Sequence, residues 1–178
     1  MQAIIDNIQD GTLNAKINLV VSDNKNAFAL ERAKKSNIPT YIINSKDKEE
    51  IDIELDSVLK NYEINLIVLA GYLKMIGSRL IEKYTIINTH PSLLPKFGGK
   101  GMFGMNVHKA VIEAGENISG PTIHFVNEKY DEGNIISQTE VKIEKGETPE
   151  SLAKKVQDVE KVQLINVLKE FIDGKIIK

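Results

Sequence analysis

Residues Ile86–Pro95 read IINTHPSLLP, and the fold is decided by how that stretch begins and ends. Thr85, Ile86 and Ile87 are β-branched, a composition that favours a strand. Asn88 and His90 follow at its end, two residues apart. In extended backbone both side chains point to the same face. Pro91 has no N–H to donate and biases His90 towards an extended conformation, so the pairing stops there. Ligands of parallel α/β sheets bind beyond the carboxyl ends of the strands. The two polar groups therefore stand where such a site would be. A carboxamide N–H can donate to a developing oxyanion, and an imidazole can move protons near neutral pH. Taken alone, an N-x-H pair before a proline is better read as a turn with local hydrogen bonds.

Upstream, the chain alternates helix and strand. Met1–Ile8 has apolar residues at helical spacing and Gly11 as a stop signal. Lys16–Ser22 and Thr40–Asn44 read as strands, with amphipathic helices at Ala27–Ser36 and Lys46–Tyr62. Asn65–Ala70, NLIVLA, is an unbroken apolar run, as expected of a strand covered by helices on both faces. Ser78–Tyr84 is a short helix leading into the strand at Thr85–Asn88. This order predicts a parallel, doubly wound sheet. Downstream the style changes. Lys96–Gly104 carries glycines at 98, 99, 101 and 104, a tightly turned or flexible loop. A helix is predicted over Asn106–Glu113. Pro121–Val126 and Asn134–Ile143 are strands with no helix between them, so an antiparallel pair is expected. Thr148 caps a long helix with Pro149 at its first position, running to about Asp173 before Gly174. Lys175–Lys178 is expected to add an edge strand.

Composition narrows the function classes. The chain of 178 residues suits one domain, residues 1–178. A formal charge of −2 gives no sign of a nucleic-acid or membrane surface. There is no cysteine, hence no disulfide framework and no thiolate metal site. The three histidines, at 90, 108 and 124, lack close metal-ligand spacing. No signal peptide and no bilayer-length apolar run is visible, so the expectation is a cytoplasmic protein acting as a monomer or homodimer, without metal.

The longer string Asn88-Thr89-His90-Pro91-Ser92-Leu93-Leu94-Pro95 resembles the signature of the folate-dependent formyltransferases. The resemblance continues through Gly98–Gly101, Val107-His108-Lys109-Ala110 and His124-Phe125-Val126 to Asp131. It covers nearly the whole chain and is strongest towards the phosphoribosylglycinamide formyltransferase branch. It implies a Rossmann-like α/β fold with a mostly parallel sheet and an antiparallel C-terminal extension. It also implies transfer of a formyl group from 10-formyltetrahydrofolate to glycinamide ribonucleotide, in de novo purine biosynthesis. Within the superfamily, a formyltetrahydrofolate hydrolase or a tRNA formyltransferase is the alternative, although the chain has neither the length nor the basic patch for an RNA-binding domain.

By that resemblance Asn88 and protonated His90 serve the tetrahedral intermediate, and Asp131 is the carboxylate that favours the imidazolium. Alone, an aspartate two residues before Gly133 would be read as a turn residue. Leu73, Lys74, Met75 and Ile76 correspond to the pterin-binding segment, with Leu73 and Ile76 as apolar walls. Asn127, Glu128, Lys129 and Tyr130 correspond to a second folate loop. Gln157 and Glu160, three apart on one helix face, match positions that contact the glycinamide end. His124, in a strand, is left between a structural and an active-site role.

One departure stands out. The family opens with a strand and a glycine-rich loop of GxGSN type before a helix resembling Gln2-Ala3-Ile4-Ile5, and this chain opens at that helix. The resemblance thus implies an N-terminally truncated domain without the first strand and phosphate loop. Backbone amides of such a loop grip phosphate, and the missing strand would leave its neighbours without ladder partners. A non-catalytic folate-binding remnant is the reading from another class.

Overall fold

The computed structural model describes residues 1–178. The chain runs α1 (Gln2–Gln9), β1 (Val20–Ser22), α2 (Phe28–Lys35), β2 (Thr40–Ile42), α3 (Lys48–Leu59), β3 (Leu66–Leu69), α4 (Ser78–Lys83) and β4 (Thr85–His90). It continues with α5 (Met105–Glu113), β5 (Ile118–Ser119), β6 (Thr122–Phe125), β7 (Ile135–Gln138), β8 (Val141–Lys142) and α6 (Pro149–Ile172). The first half pairs in parallel, β1 with β2 and β3 with β4. The second half pairs antiparallel, β4 with β6, β6 with β7 and β5 with β8. The expected division between a parallel body and an antiparallel extension is therefore present, and β4 is the strand where one regime meets the other.

Strand β4 sits inside the four-stranded sheet β3-β4-β6-β7. Its neighbouring isoleucines show why the run is apolar on both faces. Ile86 packs with Ile43, Ile51, Leu55, Leu59, Ile76 and Leu80 on the side of α3 and α4. Ile87 packs with Leu13, Ile123, Leu164, Ile165 and Leu168 on the side of α1 and α6. Both are essentially fully buried, and each such side chain is worth about 1.5–3 kcal/mol of transfer free energy. A third cluster, Val107, Val111, Val141, Leu152 and Val156, joins α5 and β8 to α6. The first two strands are not laddered to the rest: β1 pairs only with β2, while β3 forms one edge of the four-stranded sheet beside β4.

The helix ends follow the chemistry read from the chain. The Thr148 hydroxyl accepts from the Ser151 N–H at 3.2 Å, Pro149 stands in the first turn, and Gly174 takes φ +68° past the last turn. No helix is long and apolar enough to cross a membrane.

Two expectations differ from what is found. Asn134–Ile143 is not one strand. It breaks between β7 and β8, where Gly120 passes so close to the Thr139 carbonyl that a Cβ on Gly120 would lie 1.9 Å from that oxygen. The chain turns there to reach β5 instead of continuing along β6. Lys175–Lys178 forms no edge strand. Its last ammonium is drawn to the carbonyls of Ile81 and Tyr84 at the end of α4, where lysine satisfies carbonyls that lack an intrahelical partner.

Candidate active site

Extended backbone through His90 puts Asn88 and His90 on one face of β4, and the antiparallel register sets Asn88 opposite His124 and His90 opposite Thr122. Asp131 arrives from the turn between β6 and β7, with φ +57°. The left-handed region is one that aspartate tolerates better than most residues. The three residues expected to converge do so. Asp131 Oδ2 lies 3.4 Å from His90 Nδ1, and Asp131 Oδ1 lies 3.5 Å from Asn88 Nδ2.

The loop after Pro91 completes the surroundings of His90. Its Nε2 lies 2.8 Å from the Phe97 carbonyl. A carbonyl only accepts, so Nε2 carries a hydrogen, and Nδ1, facing Asp131, is the nitrogen that gains or loses the proton. Phe97 is held at φ +55°, an uncommon conformation for a bulky residue that aims its carbonyl at the ring. Ser92 ties the same loop by donating to the Lys96 carbonyl at 2.7 Å, while its own carbonyl accepts from Thr122 Oγ1 at 2.6 Å. The Gly99 N–H donates to Asp131 Oδ2 at 2.9 Å, so the glycine-rich loop is anchored on the acid.

Burial lowers the His90 pKa from its ordinary 6.5 more strongly than the Asp131 carboxylate and the Phe97 carbonyl raise it. Asp131 does favour the imidazolium, as expected, and burial outweighs it. The ring is 97% buried, and removal of water penalises the charged form. His108, also buried, is shifted the same way by burial and by the neighbouring His90. For Asp131, burial raises the pKa, but the nearby His124 ring, the Gly99 N–H and the charge either neighbouring histidine carries when protonated bring it below the usual 3.8.

These directions set a pH dependence of stability. For His90 and His108 the unfolded chain binds more protons wherever the pH lies between the folded and unfolded pKa values, so stability rises with pH there. Thermal unfolding followed from about pH 8 to about pH 5 should show the midpoint falling as pH drops below roughly 6.5, with Asp131 adding a further loss only at more acid pH. The variant His108→Gln should flatten part of the first slope. A midpoint constant across this range would contradict the burial of both rings.

The cleft in front of these groups has a volume of about 1100 Å³. Asn88, His90 and Asp131 line it, together with Leu73, Lys74, Met75, Ile76, Asn127, Lys129, Tyr130, Gln157 and Glu160. Glu128 does not line it and is exposed. Leu73, 56% exposed, offers its apolar surface to the cleft. Ile76 does so only marginally, because it is buried in the core beside Ile43, Ile51 and Leu80. The Lys74 ammonium is paired with Asp23 at 3.3 Å. Gln157 is exposed and Glu160 half-buried. Burial raises the Glu160 pKa, opposed by the Thr89 hydroxyl. No group of three or more His, Asp or Glu side chains is arranged to hold a metal ion.

Sequence reasoning left His124 between a structural and an active-site role, and the structure puts it against both Asn88 and Asp131. Its Nε2 is 3.1 Å from Asn88 Nδ2 and 3.5 Å from Asp131 Oδ1. The usable signal was strand parity: in an antiparallel partner of β4, the residue opposite Asn88 shares its face. That signal needs the register, which spacing along the chain does not supply.

An amide, an imidazole and a carboxylate thus converge at the carboxyl end of a central strand of an α/β domain, where its parallel half meets its antiparallel half. The chain belongs to the formyl transferase family, whose profile matches residues 1–168. It is 40% identical over 179 residues to the chloroplastic phosphoribosylglycinamide formyltransferase of Arabidopsis thaliana, covering 97% of this chain and 61% of that protein. It is 35% identical to the phosphoribosylglycinamide formyltransferase of Haemophilus influenzae, covering 99% of this chain and 83% of that one. The crystal structure of phosphoribosylglycinamide formyltransferase from Bacillus halodurans superposes with a TM-score of 0.88 at 35% identity, over 96% of this chain and 88% of that chain. The chain thus spans less than two thirds of the length of the plant relative.

Proposed function

We propose that this chain transfers a formyl group from 10-formyltetrahydrofolate to the amine of glycinamide ribonucleotide, as in purine biosynthesis. The observation that carries the reading is the convergence of Asn88, His90 and Asp131, drawn from a strand and a distant turn, on one face of one cleft. The amine nitrogen forms a bond to the formyl carbon, whose C=O electrons move onto oxygen. That oxygen takes a hydrogen bond from the Asn88 carboxamide. The electrons then return, the bond from carbon to the folate nitrogen breaks, and the proton lost by the amine ends on that nitrogen. His90 is the group that holds the proton between the two, at Nδ1, with Asp131 compensating the charge. A ring whose protonated form is weakened by burial releases its proton readily near neutral pH.

The folate would lie along Leu73–Ile76 and the Asn127–Tyr130 turn, where Leu73 supplies an apolar contact and backbone groups read a heterocycle edge. Gln157 and Glu160 would hold the glycinamide end, the half-buried carboxylate being suited to an ammonium. The test is to follow formyl loss from 10-formyltetrahydrofolate with and without glycinamide ribonucleotide. Loss that requires the nucleotide and produces formylated nucleotide is expected. Equal loss in its absence would indicate hydrolysis, and folate-analogue binding without turnover would indicate a binding protein; either result overturns the proposal.

A further inference from the structure

We infer that His124 is a positioning residue that dictates which end of the Asn88 carboxamide faces the cleft. The purpose of that orientation rests on the formyl-transfer reading, but the orientation itself does not. Strand register places His124 directly across from Asn88, and the ring is 98% buried. Its Nδ1 lies 2.8 Å from the Phe125 carbonyl. Because a carbonyl oxygen only accepts, Nδ1 must carry the hydrogen. In the neutral ring Nε2 is then a lone pair, and it points at Asn88 Nδ2 from 3.1 Å. The same Nδ2 faces Asp131 Oδ1 at 3.5 Å.

The amide nitrogen is thus surrounded by two groups that can only accept. Turned over, the Asn88 Oδ1 would face the imidazole lone pair and the carboxylate, losing its donor contacts in a buried place where an unmade hydrogen bond is costly. One N–H of Asn88 is committed to His124. The other is held only at the limit of hydrogen-bond distance by Asp131 and is free to donate to an oxygen in the cleft. An oxyanion donor works by being aimed before charge develops, and here the aim comes from a chain of fixed hydrogen bonds: the Asn88 amide donates to the His124 ring, which donates to the Phe125 carbonyl.

The test combines spectroscopy on the parent protein with two variants. Ring nitrogens of ¹⁵N-histidine protein are read by NMR near neutral pH; His124 should be protonated at Nδ1 and bare at Nε2. A ring protonated at Nε2, or at both nitrogens, overturns the inference, whether or not any variant folds and whether or not the parent turns over. His124→Phe keeps the aromatic volume and removes the acceptor. It should lower kcat by roughly 10- to 100-fold with KM for formyl folate changed less than about threefold. His124→Gln, whose Oε1 can accept from Asn88, should recover a good part of the loss. An unchanged kcat in His124→Phe, a KM effect as large as the kcat effect, or no recovery with Gln overturns the assignment. A parent that does not transfer formyl groups to the nucleotide would sink the functional reading, while the ring spectrum would still decide this one.

Discussion

Replacing His90 with alanine should lower kcat for formyl transfer by roughly 10²- to 10⁴-fold, the range expected when a positioned general acid or base is lost. The argument is geometric. Both ring nitrogens are engaged, Nε2 by the Phe97 carbonyl at 2.8 Å and Nδ1 by Asp131 at 3.4 Å, so alanine and a water molecule cannot reproduce the placement of the proton. The chain should still fold. The cost is a Phe97 carbonyl that keeps only the long contact to the Ser92 hydroxyl at 3.4 Å, about 1–3 kcal/mol, which shifts the unfolding midpoint by several degrees at this chain length. Assays well below that midpoint separate chemistry from stability. Steady-state kinetics with both substrates saturating is the measurement, and a kcat within threefold of the parent would remove His90 from the mechanism.

Gly133→Ala should be the most damaging single-methyl change near the site. A Cβ there would lie 1.7 Å from the Phe125 carbonyl oxygen and 2.7 Å from its carbon. Both are backbone atoms, so relief requires moving a strand rather than turning a side chain. The cost is expected at or above the upper end for overpacking, about 3 kcal/mol, or on the order of 10 °C in unfolding midpoint. The effect reaches the site by two routes. Phe125 supplies the carbonyl that holds His124 Nδ1, and Gly133 closes the turn that carries Asp131. Thermal unfolding and kcat should therefore fall together. A variant that unfolds within about 1 °C of the parent would mean that the close approach is absent in solution.

The chain order alone determined the alternation of helix and strand, the caps at Thr148 and Gly174, and the site at the end of β4, because each is written in local chemistry: β-branched runs, an oxygen before a proline, a glycine after a last turn. The motif string around Asn88 and His90 was legible for the same reason, since residues two apart on a strand share a face whatever surrounds them. Asp131 was legible only through likeness to a family, because its distance from His90 is a property of the turn and not of the 40 positions between them. Tertiary structure alone decided the rest. His124 joins the site because the β4–β6 register sets it against Asn88, and a slip of one residue would have turned it to the opposite face. The Phe97 carbonyl and the Gly99 N–H enter as backbone groups, which carry no residue signature. The direction of the His90 shift depends on how much water the fold removes, and no spacing of residues along a chain encodes that.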